Sequence, residues 1–364
     1  MKIMLITDAW HPQVNGVVRT LTRVIEECEA MGHQFEVISP ADGFKTVPLP
    51  TYSEIRLAIG ARKAIDERFH KFEPEAVHIA TEGTLGMAAR TMCLKNKFPF
   101  TTSYHTRFPE YVSARFPVPI SWGYAFMRWF HRYSGHVMVA TPSMREELET
   151  HGFGNVVSWS RGVDTELFHP DKRTSHPDPF EGMERPIFLN VGRVAVEKNI
   201  EAFVKLDLPG TKVVVGDGPQ LEELKRRYPK VKFLGAKFGE DLAAHFAHSD
   251  VFVFPSLTDT FGLVIIEAMA TGTPVAGYDA PGPKDLIPGS DAGFVSEDLR
   301  QAALDCLDLD RETIRKYAEG FSWRACAEAF LSNLEPLPVP ERRRFWKRLR
   351  RIRQREERDT ESIL

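Results

Sequence analysis

Cysteine is scarce here: four in 364 residues, at Cys28, Cys93, Cys306 and Cys326. They are widely scattered and form no CxxC pair, so a zinc ribbon or a thioredoxin-type motif is excluded and buried, reduced thiols are expected in a cytoplasmic protein. Long apolar runs are also missing. No stretch approaches the roughly 18–20 apolar residues that span a bilayer, and the opening Met1–Asp8 is too short for a signal peptide. Any membrane role is therefore expected to be peripheral, on the cytoplasmic face. There is no P-loop, no GxSxG and no Cys/His spacing suited to a metal, and neither a metal nor a cofactor is expected. Net charge is low, at -3, but unevenly spread: Glu341–Leu364 carries ten Lys or Arg against five Asp or Glu. The remaining body is acidic, which argues against nucleic acid as a partner.

What is present is alternation. A chain of this length, 43% apolar, suggests two globular domains. Short apolar runs at Lys2–Asp8, Phe35–Ser39, Ala76–Ala80, Phe100–His105, Val137–Thr141 and Val156–Ser160 alternate with helical windows. One window opens at Ser143, an expected N-cap with Glu146 three residues on, and stops near Gly152. The rhythm breaks over the proline-rich segment 169–185 and restarts at Ile187–Val191. It runs on through Lys212–Val215, Val231–Leu234, Val251–Phe254, Pro274–Gly277 and Gly293–Val295. Such βαβ repetition builds parallel sheets, so the expected fold is α/β with two Rossmann-like doubly wound domains facing across a cleft. The expected division is 1–168, a linker 169–185, a second domain 186–321, a helix 322–335 packing back on the first domain, and a basic tail 336–364.

Two strings carry chemistry. In PSLTDTFGLVIIEAMATGTPV (Pro255–Val275) a strand ends, a polar turn follows, and a helix opens near Phe261–Gly262. Free N–H groups and a positive dipole end at that point suit a diphosphate. Glu267, about two turns into the helix, has two oxygens suited to the vicinal hydroxyls of a ribose, and Asp259 on the turn is placed to meet a sugar. In NVGRVAVEKN (Asn190–Asn199), Arg193 leaves a strand and Lys198 precedes a helix. Two cations converging there can neutralise a diphosphate leaving group without a divalent metal.

Together these strings resemble the GT-B glycosyltransferases of retaining family 4. Asn15–Gly16 in DAWHPQVNGVV resembles the family's amino-terminal loop facing the donor. RGVDTELFHP (Arg161–Pro170) resembles the stretch leading to the interdomain linker, and GDGP (Gly216–Pro219) a second-domain strand end. Asp259 and Glu267 resemble the E-x7-E element, with Asp in place of the usual first Glu. The resemblance implies a metal-independent retaining transferase. Its donor, a UDP- or GDP-linked hexose or hexuronic acid, would be held by Asn15, Gly16, Gly192, Gly216, Gly218, Thr260, Phe261, Gly262, Leu263 and Glu267. His105, Arg193, Lys198 and Asp259 would be catalytic. With SYHTRFPEY (Ser103–Tyr111), the sequence is similar to the lipid-glycosylating branch, the sulfoquinovosyl-, mannosyl- and glucuronosyl-diacylglycerol synthases. That implies a diacylglycerol- or ceramide-like acceptor, with Arg107 and Tyr111 near it. A polysaccharide or lipid-linked oligosaccharide acceptor stays open.

Two more distant readings compete. Two doubly wound domains with VVVGDGP would also suit an NAD-dependent oxidoreductase, but no GxGxxG stands between strand and helix. The other is a non-enzymatic nucleotide-sugar-binding adaptor. Two further features concern the membrane. Between Phe108 and Tyr133 nine aromatics are interleaved with Arg115, Arg128 and Arg132; half or more of these rings are expected in the core and the rest on an apolar surface. The tail RRRFWKRLRRIRQR (Arg342–Arg355) holds nine basic residues and no acidic one. As a helix it would align Phe345, Trp346, Leu349 and Ile352 in one stripe. The expectation is that Arg342, Arg343, Arg344, Phe345, Trp346, Lys347 and Arg348 lie flat on an anionic leaflet.

Overall fold

In a computed structural model of the chain, described over residues 1–13, 15–49, 52–113 and 116–361 (backbone alone for 49, 52–55 and 356–361), the alternation becomes two parallel six-stranded sheets. The first lobe contributes β1 (Lys2–Ile6), β2 (Gln34–Ile38), an antiparallel hairpin of β3 (Lys45–Leu49) and β4 (Tyr52–Ile59), then β5 (Ala76–Ile79), β6 (Thr101–Ser103), β7 (Val137–Val139) and β8 (Val156–Ser158). The second contributes β9 (Ile187–Val191), β10 (Thr211–Val215), β11 (Lys232–Phe233), β12 (Val251–Phe254), β13 (Val275–Gly277) and β14 (Gly293–Val295). Continuous apolar runs work as strands because helices cover both sheet faces. In β1, Met4 and Ile6 enter one core cluster while Ile3 and Leu5 enter another on the opposite face. In β9, Phe188 faces one side and Ile187, Leu189 and Val191 the other.

The strand orders are β2-β1-β5-β6-β7-β8 and β11-β10-β9-β12-β13-β14. Each reverses direction once near the middle, between β1 and β5 and between β9 and β12. At such a switch point the loops leaving the two strands diverge and open a crevice. The loops after β9 and β12 carry Arg193, Lys198 and Asp259, so the topology brings them together.

Several expectations need correcting. The helix Pro142–Thr150 is capped by Thr141, whose side chain accepts from the Met144 N–H; Ser143 is not the cap. Proline takes the first helical position readily because its missing N–H would be unpaired there. Ser143 instead binds Asp285 of the second lobe, through its N–H at 2.9 Å and its hydroxyl at 2.5 Å. The linker 169–185 packs on the second lobe, with Phe168 before it and Phe180 within it buried in the second core. The hairpin β3–β4 was not foreseen.

The chain returns to the first lobe at its end. Helix Trp323–Asn333 lies against helix Gly16–Ala30, with Trp323, Cys326 and Phe330 in the same cluster as Ile3 and Leu5. Beyond it, Val339–Glu361 is one helix, and here the expected membrane stripe is overturned. Trp346 is only 6% exposed, packed on Phe69 and Phe98, with Phe345 and Leu349 beside it. Arg342 ion-pairs with Glu75 and Arg350 with Glu73. The stripe found an apolar surface in its own chain; Arg343, Arg344, Lys347, Arg348 and Ile352 face outward. No helix among the described residues is long and apolar enough to cross a membrane. All four cysteines are free and buried.

Candidate active site

Between the lobes lies a cavity of about 1760 Å³, walled by the strand carboxyl ends of both sheets. Its second-lobe end is built around one cation. Lys198 closes a short 3₁₀ turn (Val196–Lys198), after which Asn199 adopts a left-handed conformation and donates to the Pro255 carbonyl at 3.1 Å, tying the β9 loop to the β12 loop. The Lys198 Nζ donates to Asp259 Oδ1 at 2.5 Å. Burial would pull the ammonium down, but Asp259 and the nearby Tyr111 more than offset it, and Lys198 is held above its usual range. Asp259 Oδ2 is shielded and has no hydrogen-bond partner. Arg193 sits with Nη1 3.8 Å from Glu197 Oε1.

Close backbone approach explains the glycines. A Cβ on Gly216 would meet the Gly192 carbonyl oxygen at 1.8 Å, so the loops after β10 and β9 touch where GDGP turns. Gly262 adopts φ 84 as it starts helix Leu263–Ala270, a left-handed cap that other residues resist. That leaves the helix N-terminus open to the cavity, with Thr260, Phe261, Gly262 and Leu263 all on its wall. Phe261 is otherwise packed in the second core.

Across the cleft, Asn15 and Gly16 form the start of helix Gly16–Ala30. The Asn15 side chain is used as its cap, accepting from the Val17 and Val18 N–H groups at 3.0 Å each, so the loop presents backbone and helix end to the cavity. A Cβ on Gly16 would lie 3.7 Å from Leu263, which shows how near the two lobes come. His105 follows β6. Its ring stands edge-on to Trp159, and its Nδ1 lies 3.4 Å from Arg161 Nη2. Burial, then Arg161, holds the imidazole well below its usual pKa, so it is neutral. With Nδ1 facing a donor, the proton resides on Nε2, which is shielded and without a partner. The Thr260 hydroxyl donates to the His105 carbonyl at 2.9 Å and clasps the lobes.

Three placements depart from expectation. Arg107 does not line the cavity: its guanidinium donates to Glu147 at 2.8 Å and reaches Glu110 at 3.4 Å. Glu267 is on the expected helix but does not line the cavity: it is 4% exposed, behind Arg19 of the first helix, which does line it and donates to Glu267 Oε1. Burial pushes the Glu267 carboxyl up, and Arg19 offsets only part of this. Arg19 was not singled out beforehand; nothing local pairs positions 248 apart. Finally, most of the aromatics between 108 and 133 are exposed. Only Tyr124 and Phe130 are fully buried, whereas Phe108, Phe116, Trp122, Phe126, Trp129 and Tyr133 face outward, Trp122 at 69%. Arg115 lies outside the described residues. Tyr111 does line the cavity, its hydroxyl hydrogen-bonded to Thr258.

The first-lobe end of the cavity carries an apolar stretch beside polar groups such as Gln13, Arg62, Glu82 and Thr91. Leu57 and Ile59 of β4, Met87 and Ala88 of helix Thr84–Asn96, and Phe108, Val112, Phe116 and Phe126 line it. Its last rings belong to the exposed aromatic face. Among the described residues no group of three or more His, Cys, Asp or Glu is placed to hold a metal ion.

Comparison with known proteins agrees with this geometry. Residues 14–167 match the profile of Glycosyltransferase Family 4, and residues 185–309 that of Glycosyl transferases group 1. A GDP-mannose-dependent alpha-mannosyltransferase of Corynebacterium glutamicum is 31% identical over 88% of this chain and 80% of its own length. Sulfoquinovosyl transferase SQD2 of Arabidopsis thaliana is 30% identical over 78% of this chain and 61% of its own. An alpha-monoglucosyldiacylglycerol synthase of Streptococcus pneumoniae is 25% identical over 86% and 81%. Among solved structures, sucrose-phosphate synthase from Thermosynechococcus elongatus superposes with a TM-score of 0.75 at 22% identity, covering 91% of this chain and 97% of that one. Anabaena Alr3699/HepE in complex with UDP-glucose does so at 0.69 and 16%, covering 91% and 98%. The fold is thus GT-B, and the chain belongs to glycosyltransferase family 4.

Proposed function

We propose that this glycosyltransferase moves a hexose or hexuronic acid from a UDP- or GDP-linked donor to a diacylglycerol- or ceramide-like lipid, with retention of configuration and without a metal. One observation carries the reading: a single cavity runs from a cationic, glycine-walled end to an apolar end continuous with exposed aromatic rings. A polar sugar nucleotide suits the first end, and a lipid suits the second.

In this reading the donor diphosphate lies against the open end of helix Leu263–Ala270, with Arg193 and Lys198 beside it. Gly192, Gly216 and Gly218 leave room for it, and Glu267 takes the ribose. As the bond from the anomeric carbon to the phosphate oxygen breaks, charge grows on the departing diphosphate, and the two cations and helix end stabilise it. The acceptor hydroxyl attacks the same face of the sugar and passes its proton to the leaving phosphate oxygen. His105, neutral with Nε2–H free, donates to a sugar hydroxyl. Asp259 has one oxygen fixed by Lys198, and the other is available to a second hydroxyl. The Asn15–Gly16 loop, Thr260 and Phe261 close the sugar pocket, and Tyr111 borders the acceptor. Arg107 is given no direct contact. The enzyme sits on the cytoplasmic face of the membrane through its aromatic face, aided by basic residues of the last helix facing anionic lipid.

The test is incubation of purified protein with UDP-glucuronate, UDP-glucose and GDP-mannose plus total lipid extract, with products followed by mass spectrometry, with and without EDTA. A glycolipid formed equally well in EDTA is expected. Sugar found only on glycan, or activity abolished by EDTA and restored by Mg²⁺ or Mn²⁺, would overturn the acceptor or the metal-free assignment respectively. Hydride transfer with NADH would replace the reading altogether.

A further inference from the structure

Glu267 belongs to the second lobe, yet the cation facing it comes from the first. Arg19 lies on the cavity wall, is 42% exposed, and donates through Nη2 to Glu267 Oε1. Its neighbour one turn on, Arg23, is held by Glu26 at 2.9 Å and lies 3.6 Å from Asp164, so it is engaged elsewhere. The second oxygen of Glu267, Oε2, is shielded just behind the cavity wall and has no hydrogen-bond partner. An unpaired acceptor on a buried carboxylate is costly, so this oxygen is the natural landing point for a hydroxyl donor.

We propose that Arg19 is a positioning residue for the nucleotide: it pins Glu267 through Oε1 and leaves Oε2 aimed at the vicinal hydroxyls of the ribose. The inference rests on the reading of Glu267 as the ribose acceptor. Without a cation, a carboxyl group at this depth takes up a proton and loses half its accepting capacity. The nucleotide site of the second lobe is therefore complete only while the first lobe is docked. By reciprocity, nucleotide binding strengthens that docking. Donor capture and lobe closure become one event.

Full-length protein is titrated calorimetrically with UDP and GDP, and the tighter of the two is compared with its 2′,3′-dideoxy counterpart. The native protein should prefer the ribonucleotide by about tenfold or more, as expected for charged hydrogen bonds. Arg19→Met should lose most of that preference by weakening the ribonucleotide alone, and Arg19→Lys should restore part of it. Adding Arg19→Met to Glu267→Gln should cost nothing further. Arg19→Gln, closer to arginine in polarity, serves if the Met variant folds poorly. A native preference in both Arg19→Met and Arg19→Gln overturns the proposal. So does equal weakening of both nucleotides, or tighter ribonucleotide binding, which would make Arg19 a plug instead. If Glu267→Gln itself keeps the native preference, the ribose reading falls. If Glu267→Gln loses it and the Arg19 variants do not, only the role of Arg19 falls.

Discussion

The two ends of the cleft are built from different materials. The second-lobe end is made of short loops at a sheet's switch point, fixed by glycines that admit no side chain and by a 2.5 Å contact between Lys198 and Asp259. The first-lobe end is made of rings and aliphatic chains from a hairpin and three helices, with the outer rings left uncovered. Recognition of charge and hydroxyl groups requires particular atoms at particular distances. Recognition of a lipid requires only apolar area and an opening. Damage should accordingly be steep at one end and graded at the other.

The steepest loss is expected for Lys198→Ala, with Arg193→Ala close behind. Each should lower kcat by about 10²–10³, as for one lost charge-stabilising group, while donor affinity falls less. Steady-state kinetics alongside calorimetry separates the two quantities. Parallel losses in both would make these cations ground-state anchors and weaken the contrast between the ends. Next comes Glu267→Gln, expected to weaken donor binding by roughly ten- to a hundredfold. Unchanged affinity in a titration would remove Glu267 from the site. His105→Ala removes one hydrogen bond from a neutral group, so about a tenfold loss of transfer is expected, with UDP or GDP affinity preserved. If instead nucleotide affinity falls with transfer, the residue does not belong to the sugar end.

At the apolar end, replacing Trp122, Phe126 and Trp129 together by Ser should leave nucleotide binding intact and release the protein from lipid vesicles. Sedimentation with neutral vesicles reads this directly, since charge is not involved. Equal sedimentation of variant and native protein would remove the aromatic face from the membrane. The smallest effect is expected from reversing charge at Arg343, Arg344, Lys347 and Arg348 to Glu. About 1 kcal/mol per basic residue near an anionic surface is an upper bound, and salt screens it. Binding to anionic vesicles should weaken at low salt and differ little at high salt. An effect independent of salt would mean that the last helix has come loose from the first lobe.

The same contrast governs what was legible beforehand. The sheets were readable because buried parallel strands are uninterrupted apolar runs, as in Ile3–Ile6 and Val251–Phe254. The loops that hold Arg193, Lys198 and Asp259 could be placed because they follow such strands. The hairpin β3–β4 escaped notice because its strands are mixed in polarity and Pro48 interrupts one of them. Ring exposure between 108 and 133 could not be read, since a helical aromatic stripe looks alike whether it faces a core or a bilayer. The last helix failed for that reason in the opposite direction: its stripe looked free and is buried. Arg19 was invisible because its partner is distant in sequence and close only after both lobes form.

The return of the last two helices to the first lobe also sets an order of assembly. Phe69 and Phe98 are made before the second lobe, yet Trp346, which covers them, is made after it. Ile3 and Leu5 wait similarly for Trp323 and Phe330. During synthesis the second lobe can close around its own core while the first still shows apolar surface, a state prone to aggregation and to chaperone capture. Completion of the earlier lobe thus waits on synthesis of segments that follow the later one.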